Sequence, residues 1–137
     1  MMRESTNNPT FGREDHPVIQ IKRVYDPSAK DDGARFLVER LWPRGMKKEA
    51  LPMEAWYRNL APSGDLRRWF SHDPAKWKEF QRRYWAELSH NPAACQPLFD
   101  AAKQGNITLL YSARDTEHNS ALALKSYLEE RLRTPTR

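Results

Sequence analysis

A continuous apolar run, ITLLY at residues 107–111, constrains the fold of this chain more than any other feature. A strand with one solvated face alternates apolar and polar residues, whereas a strand covered on both faces is apolar throughout. Covered strands of this length are typical of α/β domains, in which the sheet packs against other layers. We therefore expect residues 107–111 to form a buried strand of a largely parallel sheet.

Three other runs of β type precede this strand, at residues 18–25, 34–42 and 53–60. Val, Ile and Tyr predominate in the first run, and Pro43 and Gly45 close the second. All three are interpreted as strands.

Helix start signals lie between the third and the last predicted strand. Ser63, Asp73-Pro74 and Asn91-Pro92 each carry residues that favour the first turn of a helix. Apolar residues spaced three and four apart follow the second signal, as on the buried face of a helix: Trp77, Phe80, Tyr84 and Leu88. A last helix is predicted over residues 116–132.

This order of elements predicts a single small α/β domain with a mixed, largely parallel sheet of about four strands flanked by helices. The helical segments before residue 107 are long enough for a crossover between parallel strands. We expect the domain to span residues 17–133, with a disordered leader at 1–16 and a disordered tail at 134–137.

Composition excludes several classes of protein. No stretch approaches the ~20 apolar residues that span a bilayer, so no membrane partner is expected. The 5 glycines are scattered and form no Gly-rich loop of a dinucleotide or methyl-donor fold, so no cofactor is predicted. Cys95 is the single cysteine, which excludes an internal disulfide and a Cys-rich zinc site and favours a cytoplasmic location.

Several motifs in a fixed order carry a family resemblance. They are RVYDP at 23–27, VERLWPRG at 38–45, LAPS at 60–63, WFSHDP at 69–74 and TLLYSARDTEHN at 108–119. With these motifs the chain resembles the DUF488 family, in its YeaO-like branch, over about residues 19–132. The resemblance implies no particular reaction, so the site is argued from the residues themselves.

Ligands of open α/β sheets bind beyond the carboxyl ends of the strands. The ends of the predicted strands bring polar side chains to one edge of the sheet. Asp115 and His118 are the candidate catalytic residues, which would move protons. The candidate ligand-binding residues are Arg40, Trp42, Arg44, Ser112, Arg114 and Asn119.

The segment SARDTEHN, residues 112–119, is the sharpest candidate because it follows the buried strand and opens the last predicted helix. Free N–H groups at a helix start favour an anion, and Arg114 would add a fork of donors. A purely structural interpretation stays open beside this one. In it Asp115 or Thr116 caps the helix, Arg114 is a surface charge and His118 lies in the first turn.

Arg40 lies on the second predicted strand, where a buried charge is costly unless it is paired. It is expected to meet either a bound anion or an internal carboxylate, with Asp26, Glu39 and Asp115 as the candidates. Arg44, in the turn between Pro43 and Gly45, is the better candidate for a ligand contact.

Two other features have alternative interpretations. His72 is either a catalytic base or a loop residue at a helix start, and no metal site is predicted because His72, Asp115 and His118 lack the usual ligand spacing. A basic ridge is either a nucleic-acid contact or an ordinary solvated helix face; it consists of Lys76, Lys78, Arg82 and Arg83.

Three functions therefore remain open for a chain of net charge +5. The first is an Arg-lined cleft for a small phosphate- or carboxylate-bearing ligand, with or without hydrolase or transferase chemistry. The second is a nucleic-acid-binding accessory protein, and the third is a non-catalytic interaction module. A steep salt dependence would separate the second from the others.

Overall fold

The computed structural model describes residues 18–133 and contains a four-stranded sheet in which every pair of strands is parallel. The strands are β1 (Ile19–Arg23), β2 (Ala34–Leu37), β3 (Ala55–Trp56) and β4 (Ile107–Tyr111), in the order β1-β4-β2-β3. The small α/β domain is thus confirmed, with a parallel rather than a mixed sheet. The predicted leader and tail lie outside the described residues.

Strand β4 is the buried strand that its apolar run predicts. It pairs with β1 on one side and β2 on the other, so that Leu109 lies between Ile21 and Phe36. All five of its residues are buried. A strand with neighbours on both edges and cover on both faces is mostly apolar, and the one polar side chain of the run ITLLY, Thr108, donates to the Asp32 carbonyl.

Four α-helices pack on one face of the sheet: α1 (Gly64–Phe70), α2 (Trp77–Ser89), α3 (Pro92–Gln104) and α4 (Ser120–Arg133). The Ser63 hydroxyl accepts from the Leu66 N–H and caps α1, as predicted. Asp73 accepts from the Ala75 N–H and starts a short 3-10 turn that leads into α2. The second face carries a smaller apolar cluster and no α-helix among the described residues; its buried members are Val24, Leu37, Leu51 and Leu110.

The second predicted strand, residues 34–42, is wrong in its length, because β2 ends at Leu37. The last ladder bonds run from the Val38 N–H to the Leu110 carbonyl and from the Tyr57 N–H to the Leu37 carbonyl. Beyond this point β3 has ended and β4 continues only to Tyr111, so residues 39–42 have no strand to pair with and form a loop. The third predicted strand, 53–60, is reduced to the two residues of β3 and a 3-10 turn at Arg58–Leu60.

The last helix also begins later than predicted, at Ser120 rather than at residue 116. The Asp115 carboxylate accepts from the N–H groups of Glu117 and His118, which closes a local turn in place of a helical one. Asn119 then caps α4, because its side-chain oxygen accepts from the Leu122 N–H at 2.8 Å. The predicted capping role of Asp115 or Thr116 is therefore wrong, and His118 precedes the helix.

Candidate functional site

A small polar cavity of about 230 Å³ lies at the carboxyl ends of β2 and β4, and we call it the carboxyl-end pocket. The loop after β2 forms much of its wall, and the rest comes from α1 and the segment before it, the loop after β4 and the first residue of α4. Six polar side chains line it: Glu39, Arg40, Arg44, Arg67, Ser112 and Ser120.

The pocket brings together half of the predicted site. Arg40, Trp42, Arg44 and Ser112 line it. The other four predicted residues, Arg114, Asp115, His118 and Asn119, do not.

Arg40 differs from its prediction, because it is exposed and lies in the loop after β2 instead of on a buried strand. Its guanidinium forms none of the three predicted ion pairs, with Asp26, Glu39 or Asp115. The buried arginine of β2 is Arg35.

Three pocket arginines have no hydrogen-bond or ion-pair partner for their side chains within residues 18–133. Arg40 and Arg44 come from the loop after β2, and Arg67 projects from α1. Most other arginines within residues 18–133 have a hydrogen-bond or ion-pair partner. Arg82 and Arg83, for example, both pair with Glu79. The pocket thus concentrates cationic donors that the described part of the protein leaves unused.

The loop that carries Arg44 is fixed by hydrogen bonds of its neighbours. The Tyr25 hydroxyl donates to the Arg44 carbonyl at 2.8 Å, and the Trp42 indole N–H donates to the Met46 carbonyl at 2.6 Å. Gly45 has a φ of 76°, a left-handed conformation that allows the chain to turn back after Arg44. The Trp42 ring also packs edge-on against Trp56.

Glu39 is the one acidic side chain that lines the pocket among the described residues. The Ser112 N–H donates to its carboxylate at 3.3 Å. Burial raises the pKa of this carboxyl, while hydrogen bonds from Ser112 and the charges of Arg67 and His72 oppose that rise. Sequence reasoning missed Glu39 and Arg67 as site members; Glu39 was visible beside Arg40, whereas the position of Arg67 depends on how α1 packs.

Asp115 and His118 form a pair outside the pocket. The Asp115 carboxylate lies 3.0 Å from the His118 Nδ1, and the imidazole packs edge-on against Trp77. A hydrogen bond from the Glu117 N–H lowers the pKa of Asp115, and His118 lowers it further. The pair resembles the base and orienting carboxylate of many hydrolases, but no nucleophilic side chain is hydrogen-bonded to this histidine within the described residues.

The remaining residues of the segment 112–119 have different environments. Arg114 is exposed, and its side chain has no partner within residues 18–133. Asn119 is 4% exposed, and both ends of its amide are engaged, by the Leu122 N–H and by the Asp115 carbonyl. Asn119 therefore organises the loop and the start of α4.

A buried charged cluster near the amino ends of the strands was not predicted. The Asp32 carboxylate receives hydrogen bonds from Gln20, Lys22 and Arg35, and the Thr108 hydroxyl donates to the Asp32 carbonyl. Gln20 and Lys22 alternate with Ile19 and Ile21 along β1, a period of two that marks one face of a sheet. That alternation is the signal that could have revealed it.

Three of the four side chains of the basic ridge are engaged by neighbouring residues, with Glu79 as the one carboxylate among these partners. Arg82 and Arg83 both pair with Glu79, and Arg83 also stacks on Trp69. The Lys76 ammonium donates to the Trp69 carbonyl. This arrangement corresponds to the solvated-face interpretation more closely than to a free nucleic-acid surface.

Two other chemically reactive residues, Cys95 and His72, do not line the pocket. Cys95 is buried on α3, and burial raises its pKa to about 11, so that the thiol stays protonated near neutral pH. His72 is exposed and follows α1 in a left-handed conformation, with a φ of 56°. Within residues 18–133, no group of three metal-ligating side chains could hold an ion, and no helix has the length and apolar character to cross a membrane.

Comparisons with known proteins place the chain in a family. A family model described as "Inactive DUF488-N3 subclade" matches residues 18–136. The uncharacterized protein YeaO of Escherichia coli (strain K12) is 44% identical over 110 residues, which cover 80% of this chain and 96% of that protein. No solved structure matches the chain.

Mycobacterial relatives extend the comparison. An uncharacterized protein of Mycobacterium bovis (strain ATCC BAA-935 / AF2122/97) is 34% identical over 113 residues, or 82% of this chain and 95% of that protein. A protein of Mycobacterium tuberculosis (strain CDC 1551 / Oshkosh) matches with the same identity and coverage. The chain therefore belongs to the DUF488 family, in its YeaO-like branch.

Proposed function

We propose that the carboxyl-end pocket binds a small anion, a phosphate or a carboxylate, and that the domain holds this ligand without converting it. The observation that carries the proposal is the set of three pocket guanidinium groups, on Arg40, Arg44 and Arg67, that have no hydrogen-bond or ion-pair partner within residues 18–133. Guanidinium presents five donors in a planar fork that matches the oxygens of phosphate and carboxylate.

The location of the pocket supports the same proposal. In open α/β sheets ligands bind beyond the carboxyl ends of the strands, and the pocket lies at the ends of β2 and β4. Its volume of about 230 Å³ is below the range of roughly 300–1,000 Å³ that holds drug-sized ligands. A small anion, or the anionic end of a larger molecule, fits this volume best.

Binding without turnover is favoured over hydrolase or transferase chemistry. The Asp115–His118 pair, the one histidine–carboxylate ion pair within residues 18–133, does not line the pocket, and the Cys95 thiol is buried. The description of the matching family model as inactive points in the same direction. On the single cysteine, which excludes an internal disulfide, we propose the cytoplasm as the location of this activity.

Isothermal titration calorimetry with inorganic phosphate at low ionic strength tests the proposal. Arg44→Ala and Arg67→Ala should each weaken binding about tenfold, since one hydrogen bond between charged groups contributes roughly 1.5–3 kcal/mol. Both residues are exposed, so the variants should fold normally, which circular dichroism checks.

Arg82→Ala is the matched control, because it removes the same charge from α2 at a residue that does not line the pocket. It should leave the affinity unchanged. Equal weakening by all three substitutions would reduce the effect to general charge attraction, and failure of the unsubstituted protein to bind either inorganic phosphate or acetate, at two temperatures, would refute the proposal.

A further inference from the structure

We infer that Glu39 makes the carboxyl-end pocket selective for an oxyanion that carries its own hydroxyl group, such as hydrogen phosphate, over one that carries none, such as sulfate. This inference rests on the proposed function of the pocket as an anion site. It adds a specificity-determining residue to that site and narrows the class of ligand.

One hydrogen bond reaches the carboxylate of Glu39, and another fixes its main chain. The Ser112 N–H donates to one carboxylate oxygen at 3.3 Å, and the Trp56 indole N–H donates to the Glu39 carbonyl at 2.6 Å. The carboxylate therefore stays on the wall that it shares with the arginines, where an anion held by Arg40 and Arg44 would meet it.

A carboxylate among arginines discriminates between anions by their protons. An ionised carboxylate only accepts hydrogen bonds, and sulfate offers only acceptors, so the two repel each other without a bond. Hydrogen phosphate keeps a proton near neutral pH and can donate it in a short, charge-assisted hydrogen bond to Glu39. A site with a fixed polar group rejects ligands that leave that group unpaired far more strongly than it rejects ligands of the wrong size.

The groups around Glu39 decide when this discrimination operates. Burial raises the pKa of its carboxyl, and Ser112, Arg67 and His72 lower it; Tyr84 on α2 is near enough for the Glu39 charge to raise the pKa of the phenol. At a pH above its pKa, Glu39 is ionised: it accepts a hydrogen bond from hydrogen phosphate and repels sulfate. Below that pKa it becomes a donor, and the selectivity disappears.

Calorimetric titrations of the unsubstituted protein at about pH 8 and constant ionic strength test the inference with three probes. Inorganic phosphate should bind at least about tenfold more tightly than sulfate, the effect of one charge-assisted hydrogen bond. Methyl phosphate should bind as weakly as sulfate, because a phosphate monoester loses its last proton near pH 6. This third probe separates free phosphate from a phosphorylated ligand.

Two substitutions assign the selectivity to one residue. Glu39→Gln keeps the shape of the side chain but adds a donor, so its ratio of phosphate to sulfate affinity should fall to about one. Glu117→Gln removes the same charge from an exposed residue that does not line the pocket, and its ratio should stay as in the unsubstituted protein.

The outcomes separate this inference from the proposed function. Equal affinities for phosphate and sulfate in the unsubstituted protein, or tight binding of methyl phosphate at this pH, would overturn the inference while the pocket remained an anion site. Failure of these three anions and of acetate to bind would overturn the proposed function itself. The series on the unsubstituted protein gives this answer even if Glu39→Gln does not fold.

Discussion

At the residue scale, Asp32 carries the most strongly engaged charge of the described part of the chain. It is 1% exposed, and its carboxylate lies 2.8 Å from the Lys22 ammonium and 2.6 Å from the Arg35 guanidinium. Removing one member of a buried ion pair leaves the other charge without compensation, at a cost of about 3–5 kcal/mol. Asp32→Ala should therefore lower the free energy of unfolding by about that amount, measured by urea denaturation.

Asp31→Ala is the matched control for this experiment. Asp31 is the exposed neighbour in the same 3-10 turn, and the contact it makes with Asn106 uses its main-chain carbonyl. The control should stay within about 0.5 kcal/mol of the unsubstituted protein. A loss as large for Asp31→Ala as for Asp32→Ala would mean that the turn, and not the buried charge, is responsible.

The pH dependence of stability follows from the same residue. Burial alone would raise the pKa of Asp32, but hydrogen bonds from Lys22, the Ala29 N–H and Arg35 outweigh it and lower the pKa from 3.8 to about 2. A carboxyl with a lowered pKa stabilises the fold above its unfolded pKa, and this contribution is lost as the pH falls through the folded value. Acid titrations should show a loss of stability between about pH 4 and pH 2 that Asp32→Ala lacks.

Arginine shows why single residues are hard to interpret from the sequence. Arg35 and Arg40 both lie in one predicted strand, and the cost of burying a charge applies to any buried member of that strand. The structure buries Arg35 beside Asp32 and leaves Arg40 exposed, because β2 ends at Leu37. The expectation that a buried arginine of this strand is paired was right. Because β2 ends at Leu37, however, the buried arginine is Arg35 and not Arg40.

At the element scale, helix α4 depends on a cap that local sequence reasoning placed too early. Asn119 accepts from the Leu122 N–H, whereas the Thr116 side chain has no hydrogen bond within residues 18–133. Asn119→Ala should lower the free energy of unfolding by about 1 kcal/mol, with a range of roughly 0.5–2 for lost caps. Thr116→Ala should change it by less than about 0.5 kcal/mol.

Denaturation of these two variants distinguishes the two possible helix starts. A larger loss for Thr116→Ala than for Asn119→Ala would contradict the assignment of Asn119 as the cap. The later start of the helix has a local cause. Asp115 and Asn119 are both of residue types that favour helix starts, but Asp115 closes a separate turn, so the helix begins only after Asn119.

Elements defined by strong local signals were predicted closely, and those defined by their partners were not. The apolar run at Ile107–Tyr111 and the Ser63 cap of α1 coincide with the observed elements. The end of β2 at Leu37 follows from the two-residue length of β3, at Ala55–Trp56, and no signal within residues 34–42 encodes that length.

At the scale of the whole molecule, the parallel sheet assembles the carboxyl-end pocket from distant parts of the sequence. The arrangement of parallel strands predicts that Arg44 and Ser112 meet at one edge, and both line the pocket. Arg67 joins them because α1 packs across that edge, a tertiary contact that neither composition nor periodicity encodes. The overall charge of +5 thus matters less than the position of three arginines.

One measurement tests the anion site most directly: a titration of the isotope-labelled protein with inorganic phosphate, followed in amide NMR spectra. If the pocket binds the anion, the saturable shifts should cluster at the amides of Glu39, Arg44, Arg67 and Ser112. Shifts that are absent, that do not saturate, or that centre on the basic ridge around Arg82 would contradict an anion site at the carboxyl ends of the strands.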